Sequence, residues 1–463
     1  METAAAIEST VEGSPQLAKS LRSRHVAMIS IGGIIGGGLF VNSLVYIADM
    51  GPAVIVSYLL TGTIILFVMR ALAEMATARH GVGSCTEYAR LAMGNLAGFS
   101  FGWIYWYFWV VVVAFEALVG AEIASHYLPG ETPSWVIALV LTVLLTGSNL
   151  LSTRSYGEFE FWFSSIKVAA ILVFILVAAA YAFGWNSTGA ATVGNLVNDG
   201  GFAPQGWTAA LVGVVSLVFT LVGAEITTVA AAESDAGERI IARLATNLII
   251  RMLLFYILSI ALIMCVVPWR EIAEQRTIGP MSPFTMALKK VGVAGAPEIM
   301  DGIVLIAVLS CLNSGIYVGS RVMFGLASRG DASAALRKID KRGVPARAII
   351  VASVLSMAVI PLAAYWKDLY AFLLNASGAL MLFVYIGVAA AQLILRPKTP
   401  PEQLHVKAWL HPWGSLFAIT GMFAVLVAMA LTPSKQPEFI ASVVLTAIII
   451  ASYFIFRRNR VRT

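Results

Sequence analysis

Three ionisable residues sit inside apolar runs long enough to cross a bilayer. Lys167 lies within "FWFSSIKVAAILVF", Glu116 within "VVVAFEALVG", and Glu225 within "LVGVVSLVFTLVGAEITTVAAAESD". An isolated charge at such depth costs at least ~2.5 kcal/mol even on insertion scales, so each needs a partner or a proton equilibrium. Either carboxylate is placed to take a proton on one side of a membrane and release it on the other. The same chain carries "ISIGGIIGGGLFVNS", Ile29 to Ser43, an apolar run holding five glycines. A second interruption, with Thr220, Gly223, Glu225, Thr227 and Thr228 at bilayer depth, recurs around Glu225. Glycines also permit close helix packing, but packing alone does not call for a buried acid beside them. Backbone released from helical bonding survives in lipid only where protein or a polar cavity satisfies it. Amides freed at such a break suit a carboxylate and freed carbonyls suit an ammonium, which together fit a zwitterion.

The elements that hold these residues follow from composition. Of 463 residues, 59% are hydrophobic and 12% charged, against about a quarter charged in ordinary domains; the mean hydropathy is +0.85. This is an integral membrane protein. Apolar runs lie near 26–48, 52–77, 98–127, 134–152, 159–183, 208–232, 246–268, 299–325, 347–365, 369–391, 413–431 and 438–456, each near the ~20 residues that cross a hydrocarbon core. They predict an all-α bundle of about twelve spans, since barrel strands would alternate apolar and polar residues instead.

Basic residues gather before span one, after span two, between spans eight and nine, between spans ten and eleven, and at the end, whereas residues 184–207 hold neither Lys nor Arg. Both termini are therefore expected in the cytoplasm of a cell (inner) membrane protein. The loop from Arg270 to Lys290, of mixed sign, is the exception. The formal charge of +6 reflects these loops and implies no nucleic-acid partner. Three cysteines, Cys85, Cys265 and Cys311, lack the spacing of a disulfide framework. The expected organisation is a tail at 1–25, a transport core at 26–391 with halves 26–183 and 208–391, a loop at 392–412, two peripheral helices at 413–456, and a tail at 457–463. Glycine-interrupted spans in matching positions of two halves are the sequence pointer to a transporter site.

Arg70 and Glu74, one turn apart, read as an intrahelical pair, and Arg154 and Glu158 as anchors of an interfacial turn. The aromatic cluster Trp103, Tyr105, Trp106, Tyr107 and Trp109 covers all faces of one helix and reads mainly as lipid belt or packing. No triad, metal-ligand or phosphate-loop arrangement lies at bilayer depth, so neither an enzyme nor a cofactor or metal is expected. A channel would need a continuous polar pore, against which the paired interruptions argue. Nothing in the sequence bears on oligomeric state.

"RHVAMISIGGIIGGGLF", "MRALAEM", "GAEITTVAAAESD" and "SCLNSGIYVGSRVMFGLASRGDA" together resemble the amino acid permeases of the amino acid–polyamine–organocation superfamily. Within it, "GSNLL", "YGEFEFW", "GAEI" and "SCLNS" are most similar to the bacterial 4-aminobutyrate (GABA) permeases, while "DKRGVP" is nearer the aromatic and branched-chain relatives. The resemblance implies a leucine-transporter-type fold, a 5+5 inverted repeat plus two peripheral helices with spans one and six broken. It implies proton-coupled import of a small amino acid, GABA before neutral α-amino acids, by alternating access. Carried over by motif, the substrate carboxylate would meet Gly36, Gly37 and Gly38, and the ammonium Ile34, Phe219 and Val222, with Phe219 as an aromatic gate. Many relatives carry Thr, Ser or Ala at Gly37, so the pocket here is roomier. Glu116 is expected to partner the ammonium of a longer zwitterion, and Asn313 to line the site. Lys167 is expected to act as a fixed cation between spans one and eight, near Gly33 and Ser310, with Glu116 and Glu225 as further coupling groups.

Overall fold

The computed structural model describes residues 21–79, 84–129, 132–186, 189–232, 253–278, 281–366 and 369–460. Among them there are helices and turns and no strand. Span one is divided into Ser23–Gly32, Gly37–Phe40 and Ser43–Met50. Spans two to five are Val54–Ala78, Asn95–Ser125, Ser134–Asn149 and Thr153–Ala182. Span six is divided into Trp207–Leu221 and Ile226–Ala232, and span seven is described over Leu253–Val266. Spans eight to twelve are Ala296–Ser328, Ala346–Val359, Leu369–Leu395, Trp413–Leu431 and Gln436–Arg460.

Each expected span corresponds to a helical segment, although among the described residues only nine helices are long and apolar enough to cross a membrane unaided. Span seven makes a tenth when joined to Trp269–Ile278, from which it is bent by 90°. Span four is a short apolar helix, and the last part of span one runs on into span two. Span three is the axle. Its Trp109 and Val113 pack directly on span eight, where a Cβ on Gly315 would come within 2.8 Å of Val113 and 3.4 Å of Trp109. Spans eleven and twelve turn residues such as Phe423, Val444 and Ile455 outward, as a lipid-facing edge requires.

The two breaks meet. At the first, Gly36 is extended and the helix restarts at Gly37. At the second, Val222 is extended and Gly223 takes φ +121°, a conformation that side chains disfavour. A Cβ on Gly223 would lie 2.4 Å from the carbonyl oxygen of Gly33, and one on Gly38 would lie 3.0 Å from Thr220 Cα. The glycines thus let backbone approach backbone where two interrupted helices cross.

Ion pairs fix the end of the bundle that carries the basic loops, and one of them corrects the sequence reading. Glu74 does not pair with Arg70. It accepts from Arg396, from Gln392 Nε2 at 2.7 Å and from the Ala408 amide at 2.6 Å. Arg70 instead donates to the Lys407 carbonyl at 2.8 Å and lies over the Trp409 ring. The helical neighbour rule loses here because the segment before span eleven folds back over span two and offers both residues a longer-range partner. Glu158 likewise pairs with Arg24 at 2.7 Å and His25 at 3.1 Å, tying span five to span one.

The contact of the breaks is testable by stability. Gly223→Ala adds a Cβ against unyielding backbone at a positive φ and is expected to cost about 1–3 kcal/mol or more, lowering the melting midpoint of the purified protein. Gly302→Ala, where the added atom meets nothing within 4 Å, should melt like the parent. A parent-like melt for Gly223→Ala would mean that the breaks do not touch.

Candidate functional site

Between the breaks lies a small cavity of about 20 Å³, lined among others by Gly36, Gly38, Glu116, Phe219, Thr220 and Cys311. Ile34, Val222 and Gly33 also face it. Phe108, Trp109 and Val112 from span three complete its wall; Trp109 belongs to the aromatic cluster read from sequence mainly as lipid belt or packing. Glu116 is the one charged side chain among the lining residues described. Phe219 packs edge-on against Phe115, with centroids 4.9 Å apart, and also meets Phe108, so the aromatic wall is continuous across spans three and six.

Several freed backbone groups meet side chains, most of them from other spans. The Gly37 amide donates to both oxygens of Glu116, at 3.3 and 3.2 Å. Tyr256 of span seven donates its hydroxyl to the Ile34 carbonyl at 2.9 Å. Lys167 Nζ donates to the Ile35 carbonyl at 3.1 Å and to Ser310 Oγ at 2.8 Å, so this cation joins span one to span eight. At the second break, the Gly223 amide donates to Glu225 at 3.1 Å, and the carboxylate also accepts from Tyr385 at 2.7 Å and Tyr105 at 3.2 Å. Glu116, Lys167 and Glu225 are all fully or almost fully buried.

Several sequence expectations are rearranged by this geometry. Glu116 and the Gly37 amide are in direct contact, so they mark one subsite and cannot serve opposite poles of one zwitterion. Asn313 faces span four, where its side-chain oxygen accepts from Asn149 Nδ2 at 2.7 Å. Gly33 stands against Gly223 and Ile226. Gly36, Gly38, Phe219 and Val222 do converge on the cavity. Glu160 was missed: its carboxylate lies 3.8 Å from Lys167 Nζ and accepts from Ser310 and from Ser164. Its spacing of two helical turns from Lys167, on the same face, was the available signal. Tyr256, Tyr385 and Cys311 carry no such signal. Among the described residues, no group of three or more His, Cys, Asp or Glu gathers as metal ligands would.

Comparison with known proteins decides the class. Residues 25–463 match the model of the family described as "Amino acid permease". This chain belongs to the amino acid permease family. Over 453 residues the permease is 41% identical to the gamma-aminobutyric acid permease of Bacillus subtilis, covering 96% of this chain and 95% of the relative. It is 39% identical to the gamma-aminobutyric acid permease of Escherichia coli, again over 96% and 95% of the two chains. To the aromatic amino acid transport protein AroP of Corynebacterium glutamicum it is 36% identical, over 92% of each. It is a multi-pass membrane protein that transports amino acids, and its relatives are named as transporters, not enzymes.

The crowding at Gly37 sets a prediction. A Cβ there would lie 2.9 Å from Glu116 Oε2 and 3.5 Å from Val119, so Gly37→Leu must push into the cavity wall. Amino acid binding by this variant should fall at least a hundredfold while size-exclusion still shows a single species. Unchanged affinity would remove the first break from the site.

Proposed function

We propose that this permease imports a small zwitterionic amino acid, 4-aminobutyrate before others, together with protons. The observation that carries the reading is the cavity between two helix breaks, whose lining among the described residues holds one carboxylate and no cation. Such a lining suits a net-neutral ligand with both poles met by backbone. The permeases of Bacillus subtilis and Escherichia coli named for gamma-aminobutyric acid support the choice of substrate. In this reading Gly36, Gly37 and Gly38 receive the carboxylate, the carbonyls of Ile34, Phe219 and Val222 the ammonium, and Phe219 closes over the ligand. Asn313 of span eight supports the wall through its contact with Asn149 of span four.

The same reading places both termini in the cytoplasm of the cell (inner) membrane, with the basic loops on that side. It takes residues 26–391 as two inverted halves, 26–183 and 208–391, which rock about the fixed site. Lys167 acts as the fixed cation that ties the first break to span eight, and Glu225, held by Tyr105, Tyr385 and the Gly223 amide, ties the second break to spans three and ten. A second reading, transport of aromatic α-amino acids, is favoured by Phe108, Trp109 and Phe219 in the wall and by the aromatic amino acid transporter among the relatives.

Competition against labelled substrate in proteoliposomes separates the two: GABA should displace label at least tenfold better than alanine or phenylalanine. A ranking led by phenylalanine would overturn the GABA assignment.

Lys167 supplies a second test. Lys167→Ala leaves the Ile35 carbonyl and the Glu160 carboxylate without their cation, so accumulation driven by an inward proton gradient should fall to the level of the gradient-free control. If the variant concentrates substrate as the parent does, Lys167 is structural only.

A further inference from the structure

The Gly37 amide is expected to hold the substrate carboxylate, yet it already holds a carboxylate. Both oxygens of Glu116 stand within 3.3 Å of this amide nitrogen, and Glu116 lines the cavity beside it. We propose that Glu116 is an internal stand-in for the substrate carboxylate: it occupies the Gly37 amide whenever no substrate does, and substrate takes that amide only when Glu116 carries a proton.

The argument is one of charge. Two ionised carboxylates on a single N–H would lie about 4 Å apart or closer, a repulsion on the order of 4 kcal/mol at an effective dielectric of 20. A proton on Glu116 removes the repulsion and converts it into an O–H···O⁻ hydrogen bond, among the stronger kinds. Among the described residues the surroundings offer no other relief. Span eight contributes Cys311, span one Tyr46 and span seven Tyr256, none of them a cation. Span five contributes Lys167, but that ammonium is engaged by the Ile35 carbonyl and Ser310 and offset by Glu160 at 3.8 Å. Displacement without a proton would strand a carboxylate in a cavity that has no free positive charge.

The step balances. On the outer side the Glu116 carboxylate takes one proton, gives up the Gly37 amide, and donates its new O–H to the arriving substrate carboxylate. On the inner side substrate and proton leave, and the Glu116 carboxylate returns to the amide. One proton moves per substrate, and neither binds tightly without the other. A cargo lacking a carboxylate has no need of that proton.

This inference rests on the amino acid reading above, and one experiment addresses both. Equilibrium binding of labelled GABA, alanine and phenylalanine is measured on the purified full chain from pH 5 to pH 9, for the parent and for Glu116→Gln. The Kd of whichever label binds should rise toward tenfold per pH unit at the alkaline end in the parent, the slope for one proton taken up on binding. In Glu116→Gln, where a neutral amide permanently replaces the protonated acid, Kd should vary less than twofold over the range. If that variant does not fold, proton uptake by the parent is read in weak buffer as GABA is added, with about one proton per bound substrate expected at alkaline pH. A flat parent profile, no proton uptake, or a variant as pH-dependent as the parent overturns the role of Glu116 and leaves the substrate reading standing. Failure of all three labels to bind at any pH removes the substrate reading, and this inference with it.

Discussion

The constraint on which this structure depends is that two interrupted helices must satisfy one another's backbone inside a membrane. With no water at that depth, every amide and carbonyl released by Gly33–Gly38 and Val222–Gly223 needs a partner within the protein. The close approach of Gly223 to the Gly33 carbonyl brings the breaks together, and several of the remaining groups are met by side chains. Glu116 takes the Gly37 amide, Lys167 the Ile35 carbonyl, Tyr256 the Ile34 carbonyl and Glu225 the Gly223 amide. The ionisable residues that looked anomalous within apolar runs are therefore the partners that make the breaks tolerable. Their charges are affordable at that depth for the same reason, each being met by fixed dipoles.

These partners come from spans three, five, six and seven, so the site is the point where several helices are coupled, and a shift of either broken helix must be felt by all of them. The two ends of the bundle differ in what would resist such a shift. At the basic end Glu74 is buried and shared by Arg396, Gln392 and the Ala408 amide, and Arg90 meets both Glu87 and Asp331. At the opposite end Arg276–Asp49 and Lys290–Glu271 are one-third to one-half exposed, where an ion pair contributes about 0–1 kcal/mol. The exposed pairs yield more easily than the buried cluster.

What the sequence makes legible is whatever is anomalous within a short window. Five glycines in an apolar run, or a lysine between phenylalanines and valines, violate the expectation for a lipid-facing helix, and the breaks and buried charges follow directly. Glu160 was half legible, since a seven-residue spacing puts it on the face of Lys167, but it reads equally well as part of an interfacial turn. Tyr256, Tyr105 and Tyr385 were not legible as hydroxyl donors, because a tyrosine in an apolar helix carries no local mark of where its hydroxyl ends. Asn313 lies two residues from Cys311, which lines the cavity, but faces span four, a matter of helix rotation that no single sequence settles. Arg70 and Glu74 show the opposite failure: their local spacing was a good pair, and a segment more than 300 residues away in the chain took both. The contact of Gly37 with Glu116 was not legible, and two residues that touch were assigned to opposite ends of the ligand.

The central claim, that the meeting of the two breaks is the transport site, is tested most directly by a structure of the permease determined with GABA at saturating concentration and low pH. The account requires ligand density between Gly36–Gly38 and Phe219–Val222, with its carboxylate at the Gly37 amide and the Glu116 side chain moved off that nitrogen. Ligand density elsewhere in the bundle, with Glu116 still seated on Gly37, would contradict it.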